Sequence, residues 1–238
     1  MQLSVRDAAK FLNVSEKSIY RWIKAGDMPA YSLHGQYRFN RTELLEWAAT
    51  RKVNVSTQLL GESENGSADL PELSEALRAG GIFYRISGSD KASVLGNIVE
   101  LMRLPEEVDR DFLMRVLLAR ESLGSTGVGD GIAIPHVRNP IVLHITRPMI
   151  TLCFLENPID FGALDGKPAQ TLFTLVSPTV RAHLHMLSML GYALRDPVFK
   201  QTVLEQKSRD DIMAEVSRVE ASIREPLSPA DNPAGNHI

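Results

Sequence analysis

Residues 52–70 constrain the fold of this chain more than any other feature of its sequence. They are rich in polar and turn-forming residues and show no apolar periodicity, which is typical of a flexible linker. A linker at this place divides the 238-residue chain into a head, residues 1–51, and a body, residues 71–224. Residues 225–238 are rich in Pro, Ala and Asn, and we expect a disordered tail there. The sequence therefore predicts two domains whose relative orientation the linker does not fix.

Charge separates the same two parts of the chain. Residues 1–52 contain nine Lys or Arg and five Asp or Glu, a net charge of +4, whereas the remainder contains 17 basic and 24 acidic residues, a net charge of −7. A basic head on an acidic body indicates that any polyanionic partner binds the head.

The sequence gives no sign of export, of a membrane span or of a metal site. The N terminus carries charges at Arg6 and Asp7 and lacks the apolar core of a signal peptide. No apolar run approaches the ~20 residues that cross a bilayer. The single cysteine, Cys153, lies in an apolar run, so we expect a buried thiol and not a nucleophile. The histidines are not spaced as metal ligands, and we expect a cytoplasmic protein with no cofactor, no metal and no membrane partner.

The head begins with two short helices joined by a turn. Ser4 and Asp7 form a capping-box signature at the start of the first helix, which should end near Asn13. Ser15 can cap a second helix that continues to about Gly26. At about 100° per residue, this helix has an apolar face and a basic face, which consist of Ile19, Trp22 and Ile23 and of Lys17, Arg21 and Lys24.

A hairpin and a third helix complete the head. Apolar residues alternate between Met28 and Phe39 on both sides of a turn at His34-Gly35-Gln36, which predicts a two-stranded wing. Asn40 with Glu43 then starts a third helix, and its inward residues are expected to be Leu44, Leu45 and Trp47.

The segment from Leu3 to about Ala49 resembles the winged helix-turn-helix modules of the excisionase-like and MerR-like type. The resemblance rests on VSEKSIYRWIKAGDMPAY, GQYRF and LLEW. It implies binding to double-stranded DNA, with the second helix in the major groove and the wing on the backbone. Because so small a module makes few base contacts, we expect useful affinity to require a homodimer. The residues expected nearest to bases or phosphates are Ser15, Lys17, Ser18, Arg21 and Arg38.

Helical and strand-like patterns alternate along the body. This alternation predicts an α/β sandwich with a mixed sheet, and we expect the disulfide-free chain to bury its apolar faces between the layers. The predicted helices are 71–79, 91–104, 105–121, 181–194, 197–206 and 210–223, and the predicted strands are 82–86, 141–146, 149–155 and 171–176.

The most unusual stretch of the body runs from Arg120 to His136 and reads RESLGSTGVGDGIAIPH. It predicts a charged helix end, a glycine-rich turn and a short apolar strand, followed by a histidine behind a proline. Its glycines permit positive φ angles and a close approach to a ligand, and Ser125 and Thr126 add hydroxyl donors. Such a stretch suits an anion. A Walker A loop is excluded because no Lys follows Gly131, and a dinucleotide-binding fingerprint is only half matched.

This stretch resembles the active-site signature of the enzyme IIA domains of the sugar phosphotransferase system, of the fructose/mannitol and nitrogen-regulatory type. The resemblance covers about residues 73–224 and includes Arg120-Glu121 and the HLHMLS segment that starts at His183. It implies that His136 accepts a phosphoryl group from a histidine-containing phosphocarrier protein. Val137 departs from the family, which usually has Gly here, and its β-branched side chain stiffens the backbone and could narrow the approach of a donor.

The chemistry of this site follows from a neutral imidazole, which is nucleophilic near neutral pH. The phosphoryl group that it accepts brings about two negative charges, which need nearby donors and a cation. We expect Ser125, Thr126 and Gly127 to bind the phosphate, and the resemblance assigns the guanidinium to Arg120. We also expect the ring of His136 to be accessible at the rim of a pocket.

The two histidines of the HLHMLS segment differ in their direction on a helix. His183 faces inward, and His185 projects to the opposite side, if the inner face is defined by Val180, Leu184, Leu187 and Leu194. The resemblance implies that the inward histidine lies beside His136, where it hydrogen-bonds the phosphoryl group or orients the ring.

Three functions are compatible with these observations. The favoured one is a DNA-binding regulator whose enzyme IIA-like domain is a sensor that is phosphorylated on His136. The second is a phosphocarrier of a sugar phosphotransferase system whose head recruits a protein partner. The third is a docking regulator that is not phosphorylated, an alternative that Val137 leaves open. We expect a phosphoryl-carrier component rather than a stand-alone enzyme.

Overall fold

A computed structural model of the chain describes residues 2–33, 36–40, 43–44, 47–48, 51, 53, 70–137 and 145–224. This part of the chain has two domains, as predicted. The N-terminal domain combines helices with a small antiparallel sheet, and the C-terminal domain is built on a five-stranded mixed sheet. Among the helices described, none has both the length and the apolar content that crossing a bilayer requires.

Both short helices of the head start at the serines that the sequence indicates. α1 (Val5–Phe11) is preceded by Ser4, whose hydroxyl accepts the N–H of Asp7 while the carboxylate of Asp7 accepts the N–H of Ser4. The capping box is therefore confirmed. α2 (Glu16–Lys24) is preceded by Ser15, whose hydroxyl accepts the N–H of Ser18 at 3.2 Å. Helix starts of this kind can be predicted from sequence, because the capping side chain and the N–H group that it accepts are close together in the chain.

The sheet of the head contains the predicted wing and one further strand. β2 (Tyr31–Leu33) and β3 (Gln36–Asn40) pair antiparallel, whereas residues 34–35 of the predicted turn lie outside the described residues. β1 (Gln2–Leu3) pairs with the other edge of β3. The sequence does not reveal this strand, because two residues are too few to show an alternating pattern.

The third helix of the head is described only at residues 43–44, 47–48 and 51, which are helical. Asn40, the expected cap of this helix, is the last residue of β3, and residues 41–42, where the helix would begin, lie outside the described residues. Leu44 is fully buried and Trp47 is half-buried, as predicted, and Leu45 lies outside the described residues. The side chains of α2 follow the predicted faces: Ile19 is fully buried, while the basic residues Lys17, Arg21 and Lys24 are exposed.

The sheet of the body is mixed, as predicted. Its spatial order is β4-β7-β8-β6-β5. β4 pairs parallel with β7, and β6 pairs parallel with β8, whereas the β7–β8 and β5–β6 pairs are antiparallel. The strands are β4 (Ile82–Ile86), β5 (Gly127–Gly129), β6 (Ile132–Ala133), β7 (Met149–Ile159) and β8 (Ala169–Val176).

Helices pack on both faces of this sheet, and each face has its own apolar cluster. The first face is covered by α4 (Lys91–Leu101) and α5 (Arg110–Ser122). Cys153 belongs to this cluster, and burial raises the pKa of its thiol to about 12. The second face is covered by α3 (Leu73–Gly80), α6 (Val180–Ala193), α7 (Pro197–Leu204) and α8 (Arg209–Arg224).

One predicted helix of the body starts at a different residue, and one predicted strand cannot be compared with the structure. α5 starts at Arg110 and not at Pro105, because the carboxylate of Asp109 accepts the N–H of Phe112 at 2.8 Å and caps the helix there. The strand expected at 141–146 falls mainly on residues outside the described part, and residues 145–146 are not in a strand.

Head and body touch at α6. Leu184 of α6 packs against the apolar cluster of the head, and the guanidinium of Arg195 donates to the backbone carbonyl of Val53. Val53 also packs against that cluster, although its position within 52–70 predicted a linker residue. On the other side of residues 54–69, the Nε2 atom of His185 lies 3.1 Å from the carbonyl oxygen of Pro71.

A buried carboxylate joins the last helix of the body to the first. Glu220 of α8 is buried and accepts the backbone N–H of Ser74 at 3.0 Å. Ser74 is in the first turn of α3, where backbone N–H groups have no partner within the helix. Glu72, at the N-cap position, makes no side-chain cap bond, so Glu220 does what a local cap does in most helices.

We expect Glu220→Ala to lower the free energy of unfolding by about 1–3 kcal/mol, because the buried N–H of Ser74 loses its acceptor. Glu220→Gln is the matched control, since its amide oxygen still accepts, and it should recover most of this loss. Urea unfolding followed by circular dichroism measures both. Equal stability of the alanine and glutamine variants would contradict a capping role.

Candidate functional site

His136 lies directly behind the short strand β6, at its carboxyl end. The segment continues alongside β8: His136 forms a parallel bridge with Leu175, and the N–H of Leu175 donates to the carbonyl of Pro135 at 2.9 Å. Pro135 cannot donate to a sheet, but its carbonyl extends the pairing by one step. The backbone of His136 is therefore fixed by the sheet and does not belong to a loose loop.

A hydrogen bond determines the tautomer of His136. Its Nδ1 atom lies 2.7 Å from the carbonyl oxygen of Ile134. A carbonyl oxygen only accepts, so Nδ1 carries the proton in the neutral ring and Nε2 carries the lone pair. The nitrogen that can act as a nucleophile is thus Nε2.

His183 lies beside His136. It is fully buried on α6, and the centroids of the two imidazole rings are 5.4 Å apart, with an angle of 43° between the ring planes. At this separation, a group attached to one ring lies within reach of the other. The inward direction expected for His183 therefore agrees with the structure.

The residues expected to define the inner face of α6 were partly wrong. Val180 is exposed, and Leu184 faces the head instead of the body. The sequence could not show this, because the partner of Leu184 comes from the other domain. The buried residues of α6 are Ala182, His183, Met186, Leu187, Leu190 and Ala193.

The glycine-rich stretch forms a tight hairpin at the edge of the sheet. β5 and β6 pair antiparallel. Gly129 at the end of β5 and Gly131 in the turn have φ angles of +87° and +75°, which favour glycine. Asp130 in this turn pairs with Lys167 at 3.2 Å and also with Lys200, and its N–H donates to Asp165. Backbone N–H groups of Asp130 and Lys167 lower the pKa of Asp165.

The three residues expected to bind phosphate are already engaged in hydrogen bonds within the body. The hydroxyl of Ser125 donates to the carbonyl of Phe161 at 2.5 Å and accepts the N–H of Gly127 at 2.9 Å. Thr126 donates its N–H and its hydroxyl to the carboxylate of Glu121, at 3.2 and 2.6 Å. A phosphate that binds these groups must therefore replace existing hydrogen bonds.

Glu121 is a site residue whose function the sequence reasoning missed. Besides accepting from Thr126, its buried carboxylate pairs with Lys91 at 3.1 Å. It connects α5, the glycine-rich stretch and the first residue of α4. The sequence shows a Glu next to Arg120 at a helix end, but its need for a partner follows only from its burial in the structure.

Arg120 is buried at the end of α5, with 8% of its surface exposed. Its Nη1 atom donates to the carbonyl of Gly124 at 2.9 Å, so its guanidinium supports the start of the glycine-rich stretch. A buried cation of this kind suits an anion brought to the same place.

Val137 does not wall off the imidazole of His136. Its side chain is fully buried in the cluster on the face of the sheet that α4 and α5 cover. Ile134 belongs to the cluster on the other face, together with residues of α6, the helix that carries His183. The expectation that Val137 narrows the approach to the site is therefore not supported by the direction of its side chain.

The expectation of an accessible ring was wrong for this structure. His136 has 5% of its surface exposed, and its Nε2 atom is buried. The sequence could not reveal this, because burial of this atom depends on elements far apart in the chain. A phosphoryl donor reaches Nε2 only after residues around it move.

The residues expected to contact DNA divide into two groups. Lys17 and Arg21 are exposed on α2. The hydroxyls of Ser15 and Ser18 lie 3.0 Å apart and bond to each other, and Arg38 donates to Gln36 at 2.7 Å on the wing. Because Phe39 is buried, Arg38 points to the outer face of the wing.

An aromatic pair joins α2 to the wing. The rings of Tyr20 and Tyr37 meet edge to face, 6.3 Å apart, and both side chains are exposed. The sequence placed Tyr20 beside the basic face but did not predict its partner. No group of His, Cys, Asp and Glu that could hold a metal ion occurs among the described residues.

Comparison with known proteins matches both parts of the chain. Residues 75–219 match the family described as the phosphoenolpyruvate-dependent sugar phosphotransferase system, EIIA 2, and residues 3–52 match a helix-turn-helix domain. A nitrogen regulatory protein from Pseudomonas aeruginosa is 38% identical over 126 residues, which are 51% of this chain and 79% of the relative. The fructose-specific EIIA component from Haloferax volcanii is 37% identical over 113 residues, 45% of this chain and 71% of the relative.

A solved structure supports the same assignment. The crystal structure of the nitrogen regulatory protein IIA-Ntr from Neisseria meningitidis covers 60% of this chain and 94% of its own, with a TM-score of 0.50 and 26% identity. Residues 75–219, which match the family, contain the mixed sheet, His136 and His183. The chain therefore belongs to the EIIA 2 family of the phosphoenolpyruvate-dependent sugar phosphotransferase system, with a helix-turn-helix domain at its N terminus.

Proposed function

We propose that this protein is a DNA-binding regulator of the nitrogen-regulatory IIA type, which a histidine-containing phosphocarrier protein phosphorylates on Nε2 of His136. The observation that carries the proposal is the 2.7 Å contact between Nδ1 of His136 and the carbonyl of Ile134, which leaves the lone pair on Nε2. Membership of the EIIA 2 family supports the same assignment.

The transfer exchanges one phosphorus–nitrogen bond for another. The lone pair of Nε2 attacks the phosphorus of the donor's phosphohistidine, the bond between phosphorus and the donor's nitrogen breaks, and that nitrogen recovers its electron pair. Nδ1 of His136 keeps its proton throughout. The transferred phosphoryl group carries about two negative charges, and the ring of His136, which keeps the proton on Nδ1, carries a formal positive charge.

Arg120 and His183 are the proposed partners of the phosphoryl group. Arg120 is a buried cation at the glycine-rich stretch, and the ring of His183 lies 5.4 Å from that of His136. Ser125, Thr126 and Gly127 would join only by exchanging their present bonds, so we propose that they mainly fix the shape of the stretch. Preorganised groups of this kind stabilise developing charge without reorganisation.

The head is the proposed DNA-binding unit. Its match to a helix-turn-helix domain and the exposed basic face of α2 support this assignment. The alternative of a phosphocarrier with a protein-binding head uses the same site at His136 and differs only in the partner of the head. The third alternative, a docking regulator that is not phosphorylated, loses its main support because Val137 points away from the site.

Incubation with phosphoenolpyruvate, enzyme I and the phosphocarrier protein should give an acid-labile phosphoryl label on the chain. His136→Ala should abolish the label, and Arg120→Gln and His183→Ala should slow its appearance by about 100-fold, as loss of a charge-stabilising donor does in other enzymes. His34→Ala is the control, because it removes a histidine of the head, and it should be labelled normally. Undiminished label on folded His136→Ala would refute the assignment.

Val137→Ala separates the two effects that this residue could have. We expect a loss of about 2 kcal/mol in the free energy of unfolding, since the side chain is fully buried. At a temperature where both proteins are folded, the rate of phosphorylation should stay within about twofold of the wild-type rate, since the side chain faces the other side of the sheet. A large increase in this rate would show that Val137 obstructs the donor.

Binding to double-stranded DNA should depend on Lys17 and Arg21. If each contacts a phosphate, Lys17→Ala and Arg21→Ala should each lower the slope of log K against log salt concentration by about 1. Fluorescence anisotropy with duplexes of random sequence measures this slope. The control is Arg115→Ala, which removes an exposed charge of the body and should leave the slope unchanged. Equal slopes in all proteins would favour a protein partner for the head.

A further inference from the structure

We propose that the segment His183-Leu184-His185 couples phosphorylation of His136 to the attachment of the head, so that the phosphorylated body releases it. This inference rests on the proposed function and adds the route by which the head responds. These three residues of α6 form the coupling segment.

Each residue of the coupling segment contacts a different part of the molecule. His183 faces the ring of His136, Leu184 packs against the apolar cluster of the head, and Nε2 of His185 lies 3.1 Å from the carbonyl of Pro71. Consecutive helical residues are separated by about 100° around the axis. Three neighbouring side chains of one turn therefore point in three different directions. A rotation of this turn changes all three contacts together.

The same helix holds both ends of residues 54–69. Arg195, two residues beyond the end of α6, binds the carbonyl of Val53, and His185 binds that of Pro71. The two anchors are ten residues apart, about 15 Å along a helix, whereas the chain between them could extend to more than 50 Å. The connecting chain is therefore long enough for the head to detach from α6. The head stays on α6 only because of the contacts between them.

The contacts that hold the head to α6 in the described part of the chain are weak ones. They include the packing of Leu184, which is half-buried, and a hydrogen bond from Arg195, whose pKa is lowered by partial burial. Two separate proteins would not stay together through such a contact. A covalent tether raises the effective concentration to about the millimolar range, and a weak contact can then hold the head in place.

Phosphorylation must disturb the first turns of α6. Nε2 of His136 is buried, so the donor can reach it only if its surroundings open, and the added dianion needs a new arrangement of the ring of His183. Leu184 follows His183 directly and moves with it. By linkage, a body that binds the head more weakly when phosphorylated is also phosphorylated more readily when the head is detached.

The test uses the full chain with cysteines introduced at two exposed positions, Lys10→Cys on the head and Gln201→Cys on the body, labelled as a donor–acceptor pair. We expect high transfer efficiency in the unphosphorylated protein and a fall on phosphorylation. Leu184→Ala and Arg195→Ala should show the low efficiency without phosphorylation, and at equilibrium with the phosphocarrier protein both should be phosphorylated to at least the wild-type extent. The matched control is Leu204→Ala, which truncates a partly exposed leucine of α7 and should behave as the wild type.

The outcomes separate this inference from the proposed function. If Leu184→Ala and Arg195→Ala leave the transfer efficiency of the unphosphorylated chain unchanged, the attachment is overturned, whether or not His136 is phosphorylated. If they lower it but phosphorylation of the wild type does not, the coupling is overturned and the attachment stands. Absence of any label on His136 overturns the proposed function and, with it, the coupling. DNA affinity gives a second measure: phosphorylation should change it about fivefold or more in the wild type and leave it unchanged in Leu184→Ala.

Discussion

The chemistry proposed for this protein depends on one hydrogen bond, between Nδ1 of His136 and the carbonyl oxygen of Ile134. It fixes the protonated nitrogen and holds the ring relative to the backbone two residues earlier. The backbone is held in turn by the sheet, through the bond between Leu175 and Pro135. The position of Nε2 is therefore set by strand pairing, and loops contribute little to it.

Most of the fold follows from patterns that are local in sequence. Ser4, Ser15 and Asp109 start helices through their own side chains, and two of the three can be read from neighbouring residues, while Asp109 was missed in favour of a nearby proline. The mixed sheet follows from the alternation of helices and strands. The short apolar strand expected before Pro135 is β6, whereas β1 and β5 were not foreseen, because very short strands are defined by their partners and not by periodicity.

The site was predictable in its residues but not in its hydrogen bonds. His136 and His183 could be paired from a family resemblance and a helical projection, and their rings do lie close together. The bonds of Glu121 to Thr126, the burial of Nε2 and the contact of Leu184 with the head all depend on tertiary structure. A helical projection assigns a residue to a face, but it does not say which domain covers that face.

The burial of Cys153 has a practical consequence. Its thiol is enclosed among apolar side chains and stays protonated at physiological pH, since its pKa is about 12. Alkylating reagents and mild oxidants act on thiolates that solvent can reach, and the chain contains no other cysteine. The folded native protein should therefore not react with maleimides. A spin label or dye attached to a cysteine introduced at the surface will report from that position alone.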